Sequence, residues 1–94
     1  MKYIHIIFLL FFIGCSSSLP DESLPLADHL KIGMDFLDQD KFVKAQDEFK
    51  FILSRGKGTD YGDDAQFFLA ESYFLNEQYI LSIQEYENLT RKMA

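Results

Sequence analysis

Apolar and polar positions recur at helical spacing over two stretches of this chain, and the second stretch repeats the first. Between Ala65 and Leu89, apolar or small residues at Phe68, Leu69, Ala70, Tyr73 and Phe74 keep a helical period. The polar turn Asn76-Glu77-Gln78 interrupts them, and Tyr79, Ile80, Ile83, Tyr86 and Leu89 resume the same period. Thirty-seven positions upstream, Ile32, Gly33, Phe36, Phe42, Ala45, Phe49 and Ile52 stand against Leu69, Ala70, Tyr73, Tyr79, Ser82, Tyr86 and Leu89. Each pair is conservative in size or character. The pattern predicts an all-α chain built from two successive helical hairpins.

The boundaries follow from caps and turns. The first helix is predicted to begin near Ser23 or Pro25, since Ser can cap orphan N–H groups and Pro in a first turn lacks a donor the helix would not use. It runs to about Leu37, with Leu30, Gly33, Phe36 and Leu37 on its inner side. Asp38-Gln39-Asp40 makes the turn, with Asp40 as the expected cap of the next helix. That helix spans about Lys41 to Ser54 and buries Phe42, Ala45, Phe49 and Ile52. Gly33 and Ala45 let two helix backbones approach closely, and large aromatics fill the splayed ends. Arg55-Gly56-Lys57-Gly58 joins the hairpins. Thr59 is the expected N-cap of the third helix, and Asp60, Asp63 and Asp64 put negative charge where its dipole favours it. Gly62 reads as a cost of about 1 kcal/mol relative to Ala. The fourth helix runs from about Gln78 to Lys92, with Arg91 and Lys92 near its C-terminal end.

Upstream of the hairpins the pattern changes. Ile4 to Ile13 is almost wholly Ile, Leu and Phe, broken only by His5, after a start whose one charged side chain is Lys2. Ten helical residues rise about 15 Å, half a hydrocarbon core, so the stretch fits a secretory signal peptide better than a membrane span. It ends in Phe12-Ile13-Gly14-Cys15 followed by three serines, which resembles the bacterial lipobox. The resemblance implies cleavage before Cys15, a diacylglycerol thioether on its sulfur and an N-acyl chain on the new terminus, with no other cofactor. Acyl chains contribute about 0.8 kcal/mol per buried methylene, enough together for stable anchoring. The expected organisation is a lipoprotein signal peptide over 1–14, a lipidated tether over 15–23, a first repeat over 24–56 and a second over 57–94. Ser16 after the lipidated cysteine is compatible, by resemblance, with onward transport to the outer membrane.

Charge narrows the partners. The chain carries nine basic and fifteen acidic residues, a net charge of −6. Loss of Lys2 with the leader makes the mature chain more acidic still. No concentrated basic patch exists for a nucleic acid or an anionic lipid surface. One cysteine permits no intrachain disulfide.

Small–x–x–aromatic in the first helix of each hairpin, followed by aromatic–x–x–small–x–x–x–aromatic in the second, resembles the tetratricopeptide repeat. Its interior positions fall on Gly33, Phe36, Phe42, Ala45 and Phe49, then on Ala70, Tyr73, Tyr79, Ser82 and Tyr86. Its usual Trp-like position falls on His29 and Gln66, and its closing Pro on Lys57 and Ala94; neither matches. The longer Arg55–Thr59 loop accounts for a spacing of thirty-seven rather than thirty-four. The lipobox, the tether and the stretch from Gly58 to Phe74 together resemble the N-terminal part of the BamD family of outer-membrane assembly lipoproteins. The resemblance implies a truncated solenoid, because that family carries about five repeats. It also implies a lipid-anchored place on the periplasmic face of the outer membrane. The partners it implies are an Omp85-type barrel subunit with other components of the Bam machinery, and unfolded outer-membrane proteins. Carrying over the concave-face positions gives Ala27, Leu30, Met34 and Leu37 from the first copy and Asp64, Phe67, Glu71 and Phe74 from the second. Of these Leu30, Met34, Leu37, Phe67, Glu71 and Phe74 form the expected peptide or partner groove.

No catalytic constellation emerges. His29, the one histidine beyond the leader, falls at a packing position, and no second His or Cys is available to build a metal cluster with it. Gly56-Lys57-Gly58-Thr59 lacks the order of a phosphate-binding loop and follows no strand. The chain therefore reads as a non-enzymatic scaffold. Two rivals stay open: another periplasmic repeat adaptor serving envelope or cell-wall processes, and the docking module of a longer lipoprotein enzyme. Because each repeat buries its core against neighbours, the outer face of Tyr79–Met93 is expected to need a third repeat, or a partner on which the last helix packs.

Overall fold

The computed structural model describes residues 19–93. The expected signal peptide and the expected lipidation site Cys15 lie outside the described residues. Within them the chain forms four α-helices, α1 (Leu26–Asp38), α2 (Phe42–Gly56), α3 (Asp60–Leu75) and α4 (Tyr79–Met93), with no strand. Connections of three residues force each helix to return along its predecessor. Thus α1 packs on α2, α2 on α3 and α3 on α4, and α1 also touches α3.

The core sits between α2 and α3. Ala45, Phe49 and Ile52 from α2 meet Ala65, Leu69 and Tyr73 from α3, with Leu26, Leu30, Phe36 and Leu37 of α1 closing one side. Phe49 and Ile52 are fully buried, each contributing about 1.5–3 kcal/mol relative to exposure. The Phe49 and Phe68 rings stack at 5.9 Å between centroids. Gly33 carries the close approach of α1: a Cβ there would lie 2.5 Å from Cε1 of Phe49. In the second hairpin the same crossing is made by Ala70 and Ser82, whose Oγ donates to the Ala70 carbonyl at 2.9 Å.

The two turns inside the hairpins are the same structure. Asp40 and Glu77 both take left-handed backbone, φ 58° and 61°. The N–H of Lys41 donates to the Phe36 carbonyl at 2.8 Å, and that of Gln78 to the Tyr73 carbonyl, also at 2.8 Å. Asp40 N–H reaches Leu37 and Glu77 N–H reaches Phe74, each at 3.0 Å. This double bond pattern over a left-handed residue is a Schellman closure, which satisfies the last carbonyls of the helix. Asp40 therefore does not cap α2, as expected from its residue type; it supplies the left-handed step, and the N-cap residue is Lys41 with no side-chain bond. Ser23 does not cap α1 either. Its N–H and hydroxyl both donate to Asp21, at 2.9 and 2.7 Å, and Pro25 takes the N-cap position. Those two bonds, the hydroxyl first, hold the Asp21 carboxyl below its ordinary pKa.

Thr59 caps α3 as its residue type predicts, accepting from the Gly62 N–H at 3.2 Å while donating to the Gly56 carbonyl at 2.5 Å. Gly62 is more than a helix-weakening residue. A Cβ at Gly62 would stand 2.3 Å from the Gly56 carbonyl oxygen, so only glycine lets α3 start this close to the end of α2. Arg55 reaches back to Glu22 at 3.6 Å. The start of α1, the end of α2 and the start of α3 thus share one end of the stack.

Candidate interaction surface

Each hairpin is pinned by a polar pair at matching positions, buried in the first and part-buried in the second. His29 on α1 is fully buried, and its Nδ1 lies 2.5 Å from Oε2 of Glu48 on α2. Its ring lies 4.3 Å from that of Phe51, and its Nε2 has no partner. Thirty-seven residues on, Gln66 of α3 donates to Glu85 of α4 and accepts from Nζ of Lys92 at 2.9 Å. His29 occupies a packing position, as its place in the pattern predicts, but it packs as half of a hydrogen-bonded pair. The signal was in the sequence: Glu48 and Glu85 keep the same offset as His29 and Gln66.

A third polar link joins the hairpins. Nε2 of Gln46 on α2 donates to Oε1 of Gln78 at 3.0 Å and reaches the Ser72 carbonyl at 3.5 Å. Nearby, Nζ of Lys50 lies 5.8 Å from the Tyr73 ring centroid. Gln46, Phe49 and Lys50 thus join Ala45 and Ile52 in holding α3, with Leu53 packed against the same core.

The α4 positions matching Gln46, Phe49, Lys50 and Leu53 are Ile83, Tyr86, Glu87 and Thr90, and with Arg91 they line an open cleft of about 540 Å³. Ile83 is 55 % exposed where Gln46 is buried. Tyr86 is half-buried; its hydroxyl donates to Glu71 of α3, and its ring meets that of Phe67 edge-on at 6.2 Å. Loss of hydration, and then the Glu71 carboxylate that accepts its proton, push the Tyr86 phenol up to about 12. At the other end of the face, Phe74 and Tyr79 pack edge-to-face at 5.5 Å while both stay about half exposed.

The residues expected to form a groove divide between the copies. Leu30 and Leu37 are half-buried and pack against the core, whereas Met34 is exposed. Phe67 and Phe74 are exposed, 41 % and 52 %, and Glu71 is half-buried beneath Tyr86. Among the expected repeat-packing residues, Gly33, Ala45, Phe49, Ala70, Tyr73 and Ser82 are buried. Phe36, Phe42 and Tyr86 are half-buried, and Tyr79 is 52 % exposed. Tyr79 differs from its counterpart Phe42 because it lies on the open side of the second hairpin. The opposite end of the stack is polar: the α1 positions matching the α3 residues that meet α2 are Asp28, Lys31, Ile32 and Asp35.

Among the described residues no group of His, Cys, Asp and Glu could hold a metal ion, and no helix is long and apolar enough to cross a membrane. What the geometry offers is an open cleft, largely apolar, whose charged lining is Glu87 and Arg91. No protein-family model matches the chain, and a search of curated proteins gives no significant match.

Proposed function

We propose that this chain is a non-catalytic, tetratricopeptide-like scaffold, anchored through acyl chains on Cys15 to the periplasmic face of an outer membrane. There it serves the machinery that inserts β-barrel proteins, beside an Omp85-type barrel subunit. The observation that carries the repeat part of this reading is the recurrence of one turn, bond for bond, at Asp40 and Glu77. The contact between α1 and α3 adds to it, because stacked hairpins place their first helices side by side. The anchoring part rests on the lipobox-like Phe12–Cys15 sequence, and the assembly part on the Gly58–Phe74 stretch.

The test is affinity purification of the tagged full chain from detergent-solubilised envelopes, with Cys15→Ala as its partner variant. The expected result is recovery of an Omp85-type barrel subunit with the parent chain. Cys15→Ala should move from the membrane to the soluble fraction. Recovery of peptidoglycan-processing proteins in place of a barrel subunit would replace this reading with that of a cell-wall adaptor.

A further inference from the structure

We infer that the cleft between the two hairpins, ringed by Lys57, Arg91 and Lys92, binds a single phosphate group, free or carried by a lipid headgroup. The inference rests on these side chains and on the internal repeat, and is independent of the lipid anchor and of the barrel-assembly reading.

The cleft holds about 450 Å³ and is lined by Leu53 of α2, Lys57 after it, Gln66 of α3, and Asn88, Arg91 and Lys92 of α4. Three cations far apart in the sequence thus meet, and no carboxylate lines the cleft with them. Among the described residues the ion pairs are His29–Glu48 and Arg55–Glu22, so none of the three cations is paired, in a chain of net charge −6. Two of them are held by neutral partners instead. Nζ of Lys92 donates to Oε1 of Gln66 at 2.9 Å, and Gln66 is only 5 % exposed. The other end of that amide donates to Glu85, which keeps its oxygen turned towards Lys92. Nη2 of Arg91 donates to Oδ1 of Asn88 at 2.8 Å. Arg91 also borders the outer cleft of α4 with Glu87, but no ion pair joins the two.

The first hairpin shows what such a place takes. The counterparts of Lys57, Asn88, Arg91 and Lys92 are Pro20, Phe51, Ser54 and Arg55, thirty-seven residues earlier. There the one cation, Arg55, lies over the Phe51 ring, 5.2 Å from its centroid, and pairs with the Glu22 carboxylate at 3.6 Å. Glu22 belongs to the segment that precedes α1. Its counterpart before α3 is Thr59, whose hydroxyl is committed to the Gly56 carbonyl and the Gly62 N–H. The second hairpin therefore keeps the cation, adds two more, exchanges the ring for an amide and has no acid of its own to offer. Because the acid comes from the segment before a hairpin, residues 57–59 decide this, whatever follows α4.

A phosphate group suits this lining better than a carboxylate does. As a monoester it carries about −1.5 to −2 charges at neutral pH and three acceptor oxygens, against the single charge of a carboxylate. Arg91 supplies a planar fork for two of those oxygens, while Lys57 and Lys92 act as point charges. Asn88 accepts from Arg91 and so keeps its NH₂ as a neutral donor. A polyanion would meet the negative charge of the whole chain, which restricts the ligand to one phosphate group.

The test follows the side-chain amide signals of Gln66 and Asn88 by NMR, with the full chain in micelles of an uncharged detergent at constant ionic strength. Inorganic phosphate should shift both signals saturably, and acetate should bind about tenfold more weakly. Arg91→Gln should weaken phosphate binding about tenfold and Lys57→Gln about threefold. Lys31→Gln, which removes a cation outside the cleft, should leave it unchanged. Asn88→Phe, copying the first hairpin, should abolish the Gln66 shift. None of these four side chains is buried, so circular dichroism should be unchanged in each variant. Nanodiscs of phosphatidylcholine with and without phosphatidic acid then separate the sources. Shifts that need phosphatidic acid and vanish in Arg91→Gln assign a headgroup; saturable shifts with inorganic phosphate alone assign the free ion. Absence of both would overturn the inference, as would acetate binding as tightly as phosphate. Equal weakening by Lys31→Gln and Arg91→Gln, the mark of general charge, would overturn it too, as would binding that survives Asn88→Phe. Failure to recover an Omp85-type subunit leaves these shifts unaffected, so the two readings fail separately.

Discussion

Asp40 and Glu77 share one backbone conformation, φ 58° and 61°, at the same step of two turns thirty-seven residues apart. Left-handed backbone costs an L-residue about 1–2 kcal/mol, less for Asp, whose short side chain bonds locally. Glycine removes that strain but adds freedom to the unfolded chain. Glu77→Gly should therefore raise stability by about 0.5–1 kcal/mol and Asp40→Gly by less. Urea unfolding of the two variants side by side checks the order as well as the sign.

The pair formed by His29 and Glu48 has its counterpart in Gln66 and Glu85. Glutamine thus already performs the equivalent task in this chain. His29→Gln should cost less than about 1 kcal/mol, whereas His29→Leu leaves the largely buried Glu48 carboxylate without its donor and should cost about 1–3 kcal/mol or more. Denaturant midpoints of the two variants, with Glu48→Gln added to His29→Leu to test for recovery, distinguish a polar pair from simple packing.

Two glycines should respond differently to the same added methyl. At Gly33 the obstacle is the Phe49 side chain, 2.5 Å away. That ring can turn, at the usual overpacking cost of about 1–3 kcal/mol. At Gly62 the obstacle is the Gly56 carbonyl oxygen at 2.3 Å, part of the main chain. Gly62→Ala should therefore lose stability despite a helix-propensity gain of about 1 kcal/mol, and it should disturb the α2–α3 junction. Amide hydrogen exchange should show faster exchange around Thr59 for Gly62→Ala, and around α1 for Gly33→Ala.

The Tyr86 phenol, raised from 10 to about 12 by burial and by Glu71, links stability to alkaline pH. The folded value lies above the unfolded one, so the stabilisation is complete below about 10. It is lost as the pH rises from 10 towards 12, because the unfolded chain releases the proton first. Phenolate absorbance should show a late step from Tyr86. Glu71→Gln should bring it back towards the ordinary range, and Tyr86→Phe should remove the late step.

Hydrophobic periodicity was enough for four helices and for their pairing into hairpins. The close-approach positions Gly33 and Ala45 were legible because small residues recur opposite aromatics. Local polar chemistry was less legible. Asp40 and Ser23 are good caps by residue type, yet the Schellman closure took the first and Asp21 the second. Which Asx or Ser side chain wins depends on backbone angles that composition does not encode. The His29–Glu48 pair was missed for another reason. A single histidine was weighed alone, while its partner, nineteen residues away, becomes visible only when the two copies are aligned. The exposure of the outer face of α4, at Ile80 and Ile83, follows from the repeat pattern alone.

The polar row Asp28, Lys31 and Asp35 on α1 gives the stack a direction. A protein sticky at both ends can add copies without limit, because a head-to-tail contact that does not close propagates into a fibre. Among the described residues one end of the stack is charged and the other apolar, so an end-to-end self-contact that buries apolar surface joins α4 to α4. Such a contact uses the same patch twice and closes on itself. Crowding of such stacks therefore favours closed pairs over open filaments.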